Sequence, residues 1–389
     1  MPVSQGDAEP EVSQGPRGIS DTPDPDMRGA MPSMMRVKRG LRDWIETRLT
    51  EFPENGDERA LANGLNEDLS RADLHCESPA HPSEDRCHPT KWDFDGTGFV
   101  SEIRIDRMAW GRVLVVRTGL GILCGSDESA YAYIRRDGRW ERFWQTEEAI
   151  APGKPYHPQH IDSVGVSEPD DSSGARLVLA LGNETWCSST FYNVYWRLWH
   201  AGGPAPRILV DDAHLAWLGR HELPITGIVT KDDALIEFTT VSLDVAVHHY
   251  ETLRHYRVIG DAAERVDPVA LGPRAFVEDW LGTDSRESTE WGAPNKAGAL
   301  KAWHDRLTAP YLSGEYLGDS SHCVDRSDQW QVGVSLGKPD ESRQDVYFRL
   351  RWRPPYHFEM IDIAEKPWAA CTERDPAADD DRTLFAGWQ

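Results

Sequence analysis

The chain has 389 residues, with 42 Lys and Arg against 65 Asp and Glu, for a formal net charge of −23. A field of that sign repels nucleic acid and anionic membrane surfaces, so neither is an expected partner. The basic cluster Arg36-Lys38-Arg39-Arg42 is too short to oppose it, and no run approaches the roughly 18 apolar residues of a membrane span.

Residues 1–35 are rich in Gly, Pro, Ser and acids, a composition that buries too little surface to offset the entropy of ordering, and they read as a disordered tail. From Val37 the pattern turns helical. Leu41, Trp44, Ile45 and Leu49 fall on one face and Pro53 ends the run; a second amphipathic segment, about 57–74, carries Leu61, Leu65, Leu69 and Ala72. Together they predict a helical hairpin docked on the rest of the chain. The loop that follows, to about residue 90, contains Cys76, His81, Cys87 and His88. Thiolate and imidazole are zinc ligands, but no CxxC or HxxxH pair is present, so a Cys76–Cys87 disulfide or a plain loop is the expectation.

The stretch 91–272 is the organising part, because one strand pattern recurs three times with a period of roughly 60 residues. The first copy reads 101–108, 113–118, 130–136 and 140–145, with a hairpin turn at Asp137-Gly138, where glycine supplies positive φ without steric cost. The second runs 160–166, 176–181, 193–200 and 207–210. The third runs 225–230, 234–239, 252–259 and 265–271, turning at Gly260-Asp261. Four antiparallel strands per unit without intervening helices read as a mainly β fold of three consecutive four-stranded blade-like units, propeller-like. Strand patterns at 329–336 and 346–352 offer a fourth sheet.

Before that sheet, 273–310 reads as helices, the first entered through Pro273 with Phe276, Val277, Trp280 and Leu281 inward. Residues 311–372 form a small strand module, which with those helices makes a C-terminal α+β part; 373–389 is an acidic tail. Cys323 and Cys371 bracket this part and are candidates for a disulfide.

The segment Asp93-Phe94-Asp95-Gly96-Thr97-Gly98-Phe99-Val100-Ser101 resembles the calcium loops of EF-hands and of integrin-type propellers. The resemblance implies Asp93, Asp95, Thr97 and Ser101 as ligands and calcium as the one cofactor left open. It departs at Thr97 and Ser101, which are neutral, and at Arg104, where an EF-hand has its bidentate glutamate. The competing reading is an Asx-turn leading into the first strand. Gly119-Leu120-Gly121 with Gly125 imitates a dinucleotide fingerprint, but a strand follows where the motif needs a helix.

Equivalent loops between the second and third strands emerge on one face if the units are consecutive blades. They carry Cys124, Asp127 and Glu128, then Glu184, Trp186 and Cys187, then Asp244 and His248. Three readings of this set stay open: a Cys124–Cys187 disulfide or buried thiols, a metal or ligand site, and acid–base catalysis. For glycoside chemistry the candidate carboxylates are Asp127, Asp162, Glu237 and Asp244, beside a tryptophan complement of 16. His157-Pro158-Gln159-His160 reads as a polar loop entering a strand.

No convergent set of acid, base and nucleophile stands out. The expectation is a non-enzymatic binding or scaffold protein presenting the end loops of a β-repeat body to a protein or carbohydrate ligand; the alternative is a carbohydrate-active hydrolase or lyase using loop carboxylates. Absence of a signal pattern points to the cytoplasm, whereas paired cysteines point to export.

Overall fold

A computed structural model describes residues 25–71, 100, 102–109, 112–122, 125–147, 159–171, 173–184, 191–202, 205–217, 225–241, 249–308, 315–337, 342–371 and 373–374. The chain opens with α1 (Pro25–Thr50) and α2 (Glu58–Arg71). The first sheet follows as β1 (Arg104–Arg107), β2 (Val113–Ile122), β3 (Gly125–Arg136) and β4 (Arg139–Thr146), paired in that order and antiparallel throughout. Its β3–β4 turn is the Asp-Gly turn expected from sequence, with φ of 48° at Asp137 and 80° at Gly138.

The second sheet is β5 (Gln159–Val166), β6 (Arg176–Glu184), β7 (Phe191–Ala201) and β8 (Arg207–Trp217). The third is β9 (Ile225–Val229), β10 (Asp233–Val241), β11 (His249–Ile259) and β12 (Ala262–Arg265), linked to the second by one pairing, Thr240 with Ala216. Then come α3 (Pro273–Gly282), α4 (Ser285–Glu290) and α5 (Ala297–Leu307). The last sheet is β13 (Glu315–His322), β14 (Gln329–Gly337), β15 (Arg343–Arg353) and β16 (His357–Ala364), with β17 (Glu373–Arg374) added beside β13. The fold is thus mainly β, with the three predicted blade-like units and a fourth in the C-terminal part.

Strand alternation explains how the sheets stack, because successive side chains leave opposite faces. In the first sheet Val113, Val115, Ala130, Ala132 and Trp144 pack on Ile161, Val164, Val178 and Trp199 of the second. The second sheet turns its other face, with Leu177, Leu179, Trp196 and Leu198, to Ile225, Ile236 and Phe238 of the third. Leu253 and Leu235 of the third meet Tyr356 beside the fourth. Consecutive faces are therefore buried on consecutive sheets, as in neighbouring propeller blades.

The remaining face of the first sheet, with Leu114, Val116, Tyr131 and Tyr133, is covered by Ile45, Leu49 and Leu65 of the helical hairpin. The helices occupy the place that a closing blade would need, so the sheets form a capped arc. Helix α1 starts at Pro25, inside the stretch whose composition reads as a tail. At the far end Phe276, Trp280, Leu281, Trp291 and Leu300 pack on Val332, Val346, Phe348 and Met360 of the fourth sheet. A disulfide joins Cys323 to Cys371, both fully buried, and β17 continues the chain at 373–374 where the sequence suggests a loose tail.

Candidate functional site

The register fixes which strand ends share a side of the arc. In the first sheet Ile122 pairs with Gly125, in the second Gln159 pairs with Glu184 and Phe191 with Trp217, and in the third Val241 pairs with His249. Glu128 reaches Ile161, and Thr240 pairs with Ala216, so these ends lie together. We refer to this side as the loop end, and to the side of the Asp137-Gly138 and Gly260-Asp261 turns as the turn end.

At the loop end, between the first and second sheets, the side chain of His160 is 40 % exposed and sits between two carboxylates, with Nδ1 2.9 Å from Glu128 Oε1 and Nε2 3.3 Å from Asp162 Oδ1. Glu128 also accepts from Ser126 Oγ (2.9 Å) and from the Ile161 amide (2.9 Å), and Asp162 accepts from Asn183 Nδ2 (3.2 Å). Hydrogen bonds to Asp162 and Glu128, against the opposing effect of burial, push the His160 pKa up to about 10. Burial disfavours ionised Glu128, yet the His160 contact and the Ile161 amide outweigh it and hold that carboxyl below its ordinary value. His160 is therefore an imidazolium at neutral pH, held between Glu128 and Asp162.

Beside this cluster Gln159 donates to Thr146 Oγ1 (3.3 Å) and accepts from Arg197 (3.3 Å), while Tyr195 donates to the His160 carbonyl (3.2 Å). Gly182 opposes Ile161 and Tyr195, and any Cβ there would collide with the His160 carbonyl and the Tyr195 hydroxyl. Glycine at this position is what permits the close approach of β5 and β7 across β6.

Asp127, though adjacent to Glu128, leaves the opposite face of β3. It is buried under α1, with Oδ2 2.8 Å from Lys38 Nζ and both side chains 2 % exposed, so it is not part of the loop-end surface. Glu184 ends β6 opposite Gln159. Cys124, Trp186, Cys187, Asp244 and His248 lie outside the described residues, as do the candidate calcium ligands Asp93, Asp95, Thr97 and Ser101 and the Cys76–Cys87 pair. Among the described residues no group of three or more His, Cys, Asp or Glu side chains is arranged to hold a metal ion. Of the glycosidase candidates, Asp162 belongs to the His160 cluster, whereas Glu237 lies on the face of β10 opposite Ile236 and Phe238. Sequence reading missed His160 itself.

A second cluster flanks the loop end where the third sheet meets α3. Arg254 Nη1 donates to Thr252 Oγ1 (2.9 Å) and lies 3.5 Å from Asp279 Oδ2, and Thr252 in turn donates to Asp279 (3.0 Å). Arg265 Nε is 2.8 Å from Asp267 Oδ2, yet burial outweighs Arg265 and Arg254 and raises the Asp267 pKa. Nearby, Trp196 donates to the Tyr256 hydroxyl (3.0 Å), which donates to Asp212 (3.2 Å).

No protein-family description and no curated protein matches the chain. Among solved structures, similarity is found to a GH93 α-L-arabinofuranosidase of Fusarium graminearum in complex with arabinobiose, at 12 % identity and a TM-score of 0.27, covering 68 % of this chain and 66 % of that one. A variant of an arabinofuranosidase from the same organism, bound to an iminosugar inhibitor, gives 10 % identity and a TM-score of 0.28 over the same shares. The complex of the fission yeast SREBP-SCAP binding domains gives 10 % identity and a TM-score of 0.22 over 64 % of this chain and 61 % of that one. The chain thus spans somewhat less than two thirds of each of these neighbours, and likenesses of this size decide neither fold nor function. The architecture stands on its own strand pairing: a mainly β arc of four-stranded antiparallel sheets with helices at both ends.

Proposed function

We propose that this is a non-enzymatic binding protein whose ligand surface is the loop end of the first three sheets, and that the ligand is a carbohydrate. The observation that carries the reading is the state of the ionisable groups there. Glu128 and Asp162 share the one charge of His160, and Glu128 is shifted away from the raised pKa that a general acid requires. Fixed, satisfied hydrogen-bonding groups suit recognition of hydroxyls better than proton transfer. Ser126 and Asn183 supply neutral donors and acceptors around them, above the buried Gln159 and Tyr195.

A second reading, a carbohydrate-active hydrolase, is favoured by one observation. Asp267, with its raised pKa, stands near Asp279, which is paired with Arg254, and a carboxyl held protonated beside a second carboxyl is what acid–base cleavage of a glycosidic bond uses. A panel of immobilised neutral polysaccharides, read for binding and for release of reducing ends, separates the two. Saturable binding without release, weakened by Asn183→Ala, supports the binding reading. Release that disappears in Asp267→Asn supports the hydrolase, and neither signal on any member of the panel removes carbohydrate as the ligand class.

The buried Cys323–Cys371 bond also supports a place in an oxidising compartment, where disulfides persist. Thiol titration of the denatured chain taken directly from its native source tests this; free thiol at both positions would exclude it.

A further inference from the structure

At the turn end, away from the surface just described, two arginines stand on the facing sides of the first and second sheets, within electrostatic reach of each other. Arg136 follows Ala130, Ala132 and Ile134 on the face of β3 turned toward the second sheet, and Arg176 precedes Val178 and Ala180 on the face of β6 turned back toward the first. Arg176 is only 8 % exposed, and its Nη1 donates to the Ser167 carbonyl at 2.8 Å. Among the described residues no carboxylate lies within 4.0 Å of it. Among the same residues Arg136 has one carboxylate contact, a marginal one of 4.0 Å to Glu141, with the two side chains 60 % and 52 % exposed.

A guanidinium has five donors in a fixed fork, and one carbonyl satisfies one of them. Burying such a group without a counter-charge is costly, and a like charge opposite adds to the cost. Desolvation and then the Arg136 charge act on Arg176 more strongly than the opposing Glu168, and they lower its pKa. In a chain of net charge −23 carboxylates are abundant, yet among the described residues none lies within 4.0 Å of this guanidinium. The partner that fits is an anion from solution.

We propose that Arg136 and Arg176 form a binding site for a tetrahedral oxyanion, a phosphate group, at the turn end of the contact between the first two sheets. Two guanidiniums from opposing sheets can grip separate oxygens of a tetrahedral dianion, whereas a monovalent carboxylate balances only one of the two charges.

The test is isothermal titration of the full chain with inorganic phosphate, ionic strength held constant with chloride, and with acetate as the monovalent control. Saturable one-site binding of phosphate, with acetate weaker, is the expected result. Arg136→Gln, at a largely exposed position that leaves folding intact, is expected to weaken phosphate about tenfold or more, as loss of a charge-assisted contact does. Arg176→Gln is expected to abolish it. Phosphate also stabilises proteins by exclusion from their surface, so a rise in thermal midpoint shared equally by the unchanged chain and Arg136→Gln would overturn the proposal. Absence of saturable heat, or equal affinity in the unchanged chain and Arg136→Gln, would overturn it too.

Discussion

At the N-terminal end of the arc, α1 adds charge to the apolar contact that Ile45 and Leu49 make with the first sheet: Lys38 on Asp127, Arg42 on Glu147, and Glu46 on Arg142 and the Tyr133 hydroxyl. At the other end α3 and α5 meet the fourth sheet through Phe276, Trp280, Leu281, Leu300 and Leu307. Both arrangements bury the outermost apolar face of a stack, which any open run of blades requires. They differ in what the contact specifies. Apolar burial is worth about 25 cal/mol per Å² but has little direction, whereas a buried ion pair contributes little net stability and tolerates only one register. The hairpin's apolar contact is registered by buried charge, whereas the C-terminal helices are held by side-chain volume and their ion pairs, Lys296–Asp362 and Arg306–Glu365, are exposed.

The largest effect is expected where volume is lost. Trp280 is fully buried, packs edge-on to Phe348 with ring centroids 5.8 Å apart, and donates to the Ser288 carbonyl at 2.9 Å. Trp280→Ala should cost about 3 to 5 kcal/mol in denaturant unfolding, through both the cavity and an orphaned carbonyl. At the hairpin the outcome should depend on which atoms go. Asp127→Asn leaves the Lys38 ammonium buried and uncompensated and should cost about 3 kcal/mol, while the double change Lys38→Met, Asp127→Leu should be close to neutral. If the double change were as damaging as the single one, the distinction between the two ends would collapse.

The C-terminal end has a covalent tie that the hairpin lacks among the described residues. Cys371→Ser removes the bridge across a sequence separation of 48 residues and should lower stability by about 2 to 3 kcal/mol. Reductant should lower the unfolding midpoint of the unchanged chain and leave that of Cys371→Ser where it is. A reductant effect of equal size on both would mean that the bridge does not supply the difference.

Much of this architecture was legible in the residues, and the exceptions have physical causes. The Asp137-Gly138 turn, Pro273 at the entry of α3, and the alternation in β7 and β15 each carry local information that tertiary contacts reinforce. Strand β8 runs on to Trp217, beyond the expected Val210, because Asp211 interrupts the apolar pattern while standing on the sheet surface in an ion pair with Arg197. Helix α4, of sequence SRESTE, has no apolar stripe; it is set by Asp284, whose side chain accepts from the Arg286 and Glu287 amides. The loop-end cluster was half legible. Glu128 was visible as a carboxylate beside a turn, but strand alternation separates it from Asp127, and only the stacking of two sheets brings it to His160. Nothing local to His157-Pro158-Gln159-His160 marks its last residue as the centre of an ion cluster.

His160 gives the smallest and most selective prediction. Its pKa rises from 6.5 to about 10 in the folded chain, so the stability it contributes is complete below pH 6.5 and is lost as pH climbs toward 10. Glu128 is shifted the other way, and its share is lost only in acid. With the imidazole 40 % exposed, solvent screening reduces the effect to about 1 kcal/mol. Between these pH values the unfolding free energy of the unchanged chain should therefore fall by about that much more than that of His160→Gln. Parallel curves would remove His160 as the link between the first two sheets. Trp280→Ala should parallel the unchanged chain over the same range, because His304, packed edge-on against Trp280, is held below its ordinary value by burial and titrates beneath that range. Above pH 6.5, damage to a cap made of volume lowers stability uniformly, and damage to a contact made of charge does not.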